Sequence, residues 1–334
     1  MKLSVIIPTC RRPGDLLRCL QALRSQQRFP DEVLVALRED DSETLVALAH
    51  WDPGPLPLQI VSVGLAGASE ARNRCLDLAT GDILVFTDDD TAPHRDFLAR
   101  IRTAFVVDPA LGGLGGPDWI GGVELPGDDR AHEVGRVRWW GRQVGNHHLG
   151  VRHVQLVEWL KGANMSFRRE ALQQVRFGQG LRGAAAQFGE DLALSLAVRR
   201  AGWKLLYDPA IAVDHFPGRL TPGADHRTLL DRQSLGDAAF NETVLILDHL
   251  APAGRIAFLL WHLVVGTRLL PGPVMGLYLL ATTGSLAGLR RAGPVLRGRL
   301  AGLAEWARPS RAAVAPSRVS PALERRQPVQ TGTS

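Results

Sequence analysis

The chain of 334 residues is 45% apolar, enough to build a sizeable core in one large domain or two modest ones. Its net charge of +5 suggests an anionic partner, yet residues 290–334 hold nine arginines against two glutamates, which is +7 and leaves −2 for residues 1–289. A slightly acidic body with a basic tail speaks against nucleic-acid binding, and three cysteines (Cys10, Cys19, Cys75) without a CxxC pair exclude a disulfide framework and a cysteine zinc site.

The opening MKLSVIIPT has one lysine and a short apolar run before Pro8, too little for a signal peptide. Residues 3–7 read as a buried strand, and a helix is expected after Pro13, because Leu16, Leu17, Leu20 and Leu23 share a face. A second strand (32–37) leads to a helix over 42–51 with Ser42 as its N-cap, then a third strand over 58–63. A helix over 68–80 closes at Gly81, followed by a fourth strand DILVFT and a helix over 95–107; LGGLGG at 111–116 reads as a short fifth strand at best. Strand and helix in alternation predict an α/β fold with a doubly wound, mostly parallel sheet and flanking helices, whose ligands lie outside the carboxyl ends of the strands. Thr9, the turn at 38–41 and the acidic run Asp88-Asp89-Asp90 all fall at such ends.

Residues 117–158 lose the pattern and form a long insertion containing RWWG and GNHHLG. Order returns with EWLKGANMSFRREAL, then a helix over 191–200 and strands over 204–207 and 211–215. Residues 256–270 and 274–289 are apolar runs of 15 and 16 residues, each short of the roughly 20 that a spanning helix needs. A re-entrant hairpin, interfacial helices and the core of an appended helical unit all fit them. The arginine-rich stretch beyond suits an anionic lipid surface, and the tail past Trp306 is expected to be disordered.

Three clusters carry candidate chemistry. Two carboxylates on one face of a strand end, Asp88 and Asp90, seat a divalent cation, with Asp89 facing away; the plain alternative is a charged turn before the next helix. Asp191 in GED is either a helix-dipole residue or a general base. His215, closing IAVDH, is either a strand-end histidine or a ligand.

Taken in order, SVIIPT, EVLVAL with its acidic pair, GASEARNRCLDLATGDILVFTDDD, GANMSFRREAL, GEDLALSLAVRRAGWKL and AIAVDHF resemble the family 2 glycosyltransferases with the GT-A fold, over about residues 3–218. The resemblance implies metal-dependent, inverting transfer of a sugar from a nucleotide-sugar donor to a hydroxyl acceptor, with Mn or Mg as cofactor. It implies Thr9, Arg11, Asp40, Arg72 and Asp89 as nucleotide-sugar contacts. Asp88, Asp90 and His215 become metal ligands, Asp191 the base, and Asn164, Glu190 and Trp159 the acceptor or sugar pocket. Relatives often carry Asp-Asp directly after the second strand; here the pair is displaced to Asp40-Asp41, which leaves the nucleobase open. No QxxRW motif follows Asp191, so one sugar per acceptor encounter is expected, in bacterial cell-surface polysaccharide or glycolipid synthesis. Trp139, Trp140, His147 and His148 of the insertion either close over the donor or acceptor or pack a lid onto the core.

This reading divides the chain into a nucleotide-sugar half (1–116), an acceptor and catalytic half (117–224), a helical segment (225–304) touching a membrane surface through 256–304, and a disordered basic tail (305–334). It places the protein at the cytoplasmic face of a membrane. Two alternatives stand beside it: a polyprenyl-phosphate sugar synthase, and a non-catalytic nucleotide- or sugar-binding protein.

Overall fold

The computed structural model describes residues 1–64, 67–124, 133–183, 187–217 and 231–308. In chain order the elements are β1 (Leu3–Thr9), α1 (Pro13–Arg24), β2 (Glu32–Arg38), α2 (Ser42–Ala49), β3 (Leu58–Val63), α3 (Ala68–Leu78), β4 (Ile83–Thr87), β5 (Thr91–Pro93) and α4 (Phe97–Val107). Then come β6 (Leu111–Gly115), β7 (Asp118–Ile120), β8 (Arg136–Val137), β9 (Gln143–Val144), β10 (Gln155–Leu156), β11 (Asn164–Arg168), α5 (Glu190–Arg200), β12 (Lys204–Tyr207) and β13 (Val213–His215). Four helices close the described chain: α6 (Arg232–His249), α7 (Pro252–Val264), α8 (Pro273–Thr283) and α9 (Ala287–Trp306).

Eight strands form one sheet in the order β10-β12-β6-β11-β4-β1-β2-β3. The run from β4 through β1 and β2 to β3 is parallel, as is β12 on β6, whereas β11 enters antiparallel between β4 and β6. The unbroken apolar runs of β1, β2 and β4 follow from burial on both faces. Val5, Val35 and Val85 pack with Leu20 of α1 and Phe97 of α4, while Ile6, Leu34 and Phe86 pack with Leu76 of α3 and Val198 of α5. The segment expected to be a weak fifth strand is a fully buried one. Gly112 and Gly113 let Trp203, Phe167 and Leu205 approach where a Cβ would collide with them.

Two further expectations are corrected. Asp41, not Ser42, caps α2, its carboxylate accepting from the Thr44 amide at 3.1 Å. The insertion is partly structured: β7 joins β13 and β5 in a small second sheet, β8 pairs with β9, and β10 extends the main sheet. Glu158 fastens it, accepting from the Val137 amide at 2.6 Å and pairing with Arg199 of α5 at 3.1 Å and His249 of α6 at 3.3 Å. Trp140 packs edge-on to Trp261 of α7, 5.5 Å between centroids, so this part of the insertion joins the helical layer.

In that layer α6 and α9 meet through glycines; a Cβ on Gly298 would strike the carbonyl of Gly236. Glu242, Arg299 and His262 are buried between the helices, with Arg299 Nη1 2.9 Å from Glu242 Oε2. No helix among the described residues is long and apolar enough to cross a membrane. The part of the expected basic tail beyond residue 308 lies outside the described residues.

Burial carries the pKa of His147 and of His262 down to about 4, so both imidazoles stay neutral in the fold. The unfolded chain takes up those protons near pH 6.5. Stability from these sites is therefore complete above about pH 6.5 and drains as pH falls toward 4, by about 2 kcal/mol per site on reaching about pH 5. Urea unfolding at neutral pH and at about pH 5 is expected to show that loss. His262→Leu should remove its share of the slope; an unchanged slope in that variant would refute the assignment.

Candidate active site

β4 ends at Thr87, and Asp88–Asp90 form the turn into β5 rather than an extension of the strand. The alternation expected for a strand is therefore not what separates the three carboxylates; their cationic and hydroxyl partners do. Asp89 is fully buried, with Thr9 Oγ1 donating to it at 2.7 Å and Arg12 Nη2 2.7 Å away. Arg12 Nη1 also reaches Asp90 at 3.0 Å, and Arg72 Nη2 donates to Asp88 at 2.8 Å. Burial still pushes the Asp89 carboxyl up to about 7, against the opposing pull of Arg12 and Thr9.

Strand register brings His215 into this turn. β13 pairs His215 with Thr91 of β5 and with Ile120 of β7. Its Nε2 stands 3.3 Å from Asp90 Oδ1 and its Nδ1 3.0 Å from Asp118 Oδ2, which Lys161 also engages. Burial opposes charging the imidazole, but the bonds to Asp118 and Asp90 outweigh it and raise its pKa to about 9. One ligand atom each from Asp88, Asp90 and His215 lies within 4.8 Å of the others. Asp90 Oδ1 is buried with the His215 imidazole as its near neighbour. Two carboxylates and an imidazole are a donor set that fits a divalent cation such as Mn or Mg.

Gly189, at φ 83°, turns the chain into α5 through the left-handed region that glycine enters without strain. Glu190, next in line, is buried and held by Ser69 and Arg72. Arg72 thereby spans from Asp88 to Glu190 with one guanidinium that is 4% exposed. Asp191 accepts from the amides of Gly162 at 3.3 Å and Leu192 at 2.8 Å. Burial raises its pKa, and the charge of Glu190 adds to the effect.

The remaining expected residues take other positions. Asn164 donates to the carbonyls of Pro117 and Ile211, clamping the main sheet to the start of the small one. Trp159 packs on buried His147, 4.8 Å between ring centroids, with its indole nitrogen unpartnered. Asp40 is forked by Arg38 at 2.8 and 2.6 Å and meets Arg11 at 3.2 Å on the surface, while Asp41 is used as a helix cap. Sequence reasoning missed Arg12, Asp118 and Lys161. Arg12 carried one signal, its place directly after the first strand beside the Thr9 already singled out.

Residues 4–175, just over half of the chain, match the sequence model of glycosyl transferase family 2. Over 224 residues the chain is 29% identical to the succinoglycan biosynthesis protein ExoM of Rhizobium meliloti, a match that covers 63% of this chain and 65% of ExoM. The fold is similar to that of the mannosyltransferase PcManGT from Pyrobaculum calidifontis, solved with GDP-Man and Mn2+, at TM-score 0.55 and 19% identity over 91% of this chain and 86% of that one. TarS 1–349 of S. aureus, solved with UDP-GlcNAc, matches at TM-score 0.55 and 16% identity over 92% of this chain and 80% of TarS 1–349. These structures speak for a GT-A-type fold, a mixed central sheet with flanking helices. With a family model matched across the strand that bears Thr9 and the turn that bears the three aspartates, this chain belongs to the family 2 glycosyltransferases.

Proposed function

We propose that the chain moves one sugar per encounter from a nucleotide-sugar donor to a hydroxyl acceptor, with inversion at the anomeric carbon, in cell-surface polysaccharide or glycolipid synthesis. The observation that carries this reading is the span of Arg72 between Asp88 and Glu190. It joins a cluster suited to a cation and a diphosphate to the Glu190–Asp191 carboxylate pair, suited to an acceptor.

Asp88, Asp90 and His215 would hold a divalent ion, Mn or Mg, which when bound offsets charge on the departing diphosphate. Asp118, itself gripped by Lys161, fixes the His215 ring so that Nε2 faces the turn. Thr9 and Arg12 lock Asp89 on the donor side, with Arg11 and Asp40 at the neighbouring rim. Asp191 takes the acceptor proton: the Gly162 and Leu192 amides aim it, and burial beside Glu190 makes it a stronger base than a free carboxylate. A single positioned base suits a single displacement, hence inversion. A lipid-phosphate acceptor would need no such base, so the raised Asp191 favours a hydroxyl.

Residues 1–116 serve the donor and 117–224 the acceptor in this scheme. The base is open, since PcManGT was solved with GDP-Man and TarS with UDP-GlcNAc. Thermal unfolding with UDP-, GDP- and dTDP-sugars, each with and without manganese, tests the reading. One nucleotide series should raise the midpoint only when manganese is present; no shift with any of them would defeat it.

A further inference from the structure

Helices α7 and α8 turn an apolar face to solvent. On α7, Ile256, Leu260, Trp261 and Val264 recur at helical spacing and all are exposed, Leu260 by 66%. On α8, Leu277 and Tyr278 are about as open, at 57% and 50%. Trp139 is 69% exposed, while its carbonyl meets Gly254 on the buried side of α7. The opposite side of α7 is already satisfied, with Phe258 and His262 buried against the helical layer.

The charge along this stretch of the chain has one sign. From 249 to 304, a stretch of 56 residues, there is no aspartate or glutamate, and there are six arginines. Arg299 is spent inside the helical layer on Glu242, and Arg255 lies over the Trp306 ring. Arg268, Arg290 and Arg297 are exposed. Residues 249–304 carry +6, while residues 1–248 carry −4, so the cationic character is confined to the helical layer and the chain after it.

Helix lengths decide between spanning and lying flat. α7 has 13 residues and α8 has 11, about 20 and 17 Å at the usual rise, against a hydrocarbon thickness of about 30 Å. Charge decides the occupant. A second copy docking through the same face would bring two segments of +6 together, a repulsive arrangement. An anionic lipid surface suits both the apolar face and the charge of the segment that bears it.

We propose that α7 and α8 form an interfacial docking face for an anionic phospholipid surface. Leu260, Val264 and Leu277 sink into the boundary between headgroups and acyl chains, Trp261 anchors at headgroup level, and Arg268 and Arg290 meet the phosphates. The contact is independent of the reaction assigned above, so its failure leaves that reading untouched.

Full-length protein is sedimented with phosphatidylcholine vesicles and with equimolar phosphatidylcholine–phosphatidylglycerol vesicles. Binding is expected to be at least about tenfold stronger to the anionic vesicles and to weaken with salt. Acyl-chain-brominated lipid should quench tryptophan fluorescence. Leu260→Glu is expected to weaken partitioning by about tenfold and Arg268→Gln by about fivefold, each with an unchanged melting midpoint, since both side chains are exposed. If Leu260→Glu unfolds, Ile256→Gln on the same face replaces it. Equal binding to both vesicle types, or binding without quenching, would overturn the proposal. So would a dimer in solution that Leu260→Glu dissociates while the parent ignores vesicles.

Discussion

Asp191→Asn is expected to lower kcat by about a thousandfold while leaving the donor Kd within about twofold of the parent, because a positioned general base contributes roughly two to four orders of magnitude to the chemical step alone. The amide keeps the shape of the carboxylate, and its oxygen keeps the contact to the Leu192 amide at Oδ1, while its NH2 replaces the Oδ2 that accepts from Gly162. What it loses is the capacity to accept a proton. The pH profile supplies an independent signature. Burial raises the Asp191 pKa, so the fraction of active base grows as pH rises through a value above the ordinary carboxylate range. The acid limb of kcat in the parent should follow that rise, and the variant should lack it. Donor titration by calorimetry and initial rates across pH measure both; a variant that retains full turnover removes Asp191 from the chemistry.

Asp90→Asn should weaken manganese binding by about a hundredfold or more, as loss of an anionic ligand exceeds the 10- to 100-fold typical of outer partners. Its effect on the metal-free fold should be small, because two changes oppose. Arg12 and His215 each lose a charged partner, but the crowd of three like charges at 88–90 is also relieved. Asp89 keeps Thr9 and Arg12, so the turn retains its anchor. Calorimetric titration with manganese, alongside metal-free urea unfolding, separates the two effects. Unaltered manganese affinity would show that the cluster is an ion-pair network and nothing more.

Much of the first half of the fold was legible because buried parallel strands must be continuously apolar, and β1, β2 and β4 are. The three aspartates stood out for a related reason: like charges directly after a buried strand demand partners. Those partners lie far off in sequence. Arg12 is 78 residues from Asp90, and Asp118 is 97 from His215. Periodicity reports which face of an element is buried, not what it faces, so these pairings had no local trace. Register supplied them, through the small sheet that sets His215 beside Thr91. Asp41 shows the opposite case, a residue of the displaced acidic pair whose local role is that of a helix cap. The apolar runs at 256–289 were legible as helices, but only packing revealed which side of them stays uncovered.

Glu158 binds one strand of the insertion, the helix that carries Asp191 and the first helix of the C-terminal layer. Leu192 and Leu196 of α5 also share a core with Leu245, Ile246 and Phe258. The proposed base and the proposed lipid face thus sit on helices that share one packed core. Docking of α7 and α8 would therefore set the height and tilt of Asp191 above the bilayer. An acceptor held at another depth would then be discriminated by reach alone, whatever its sugar.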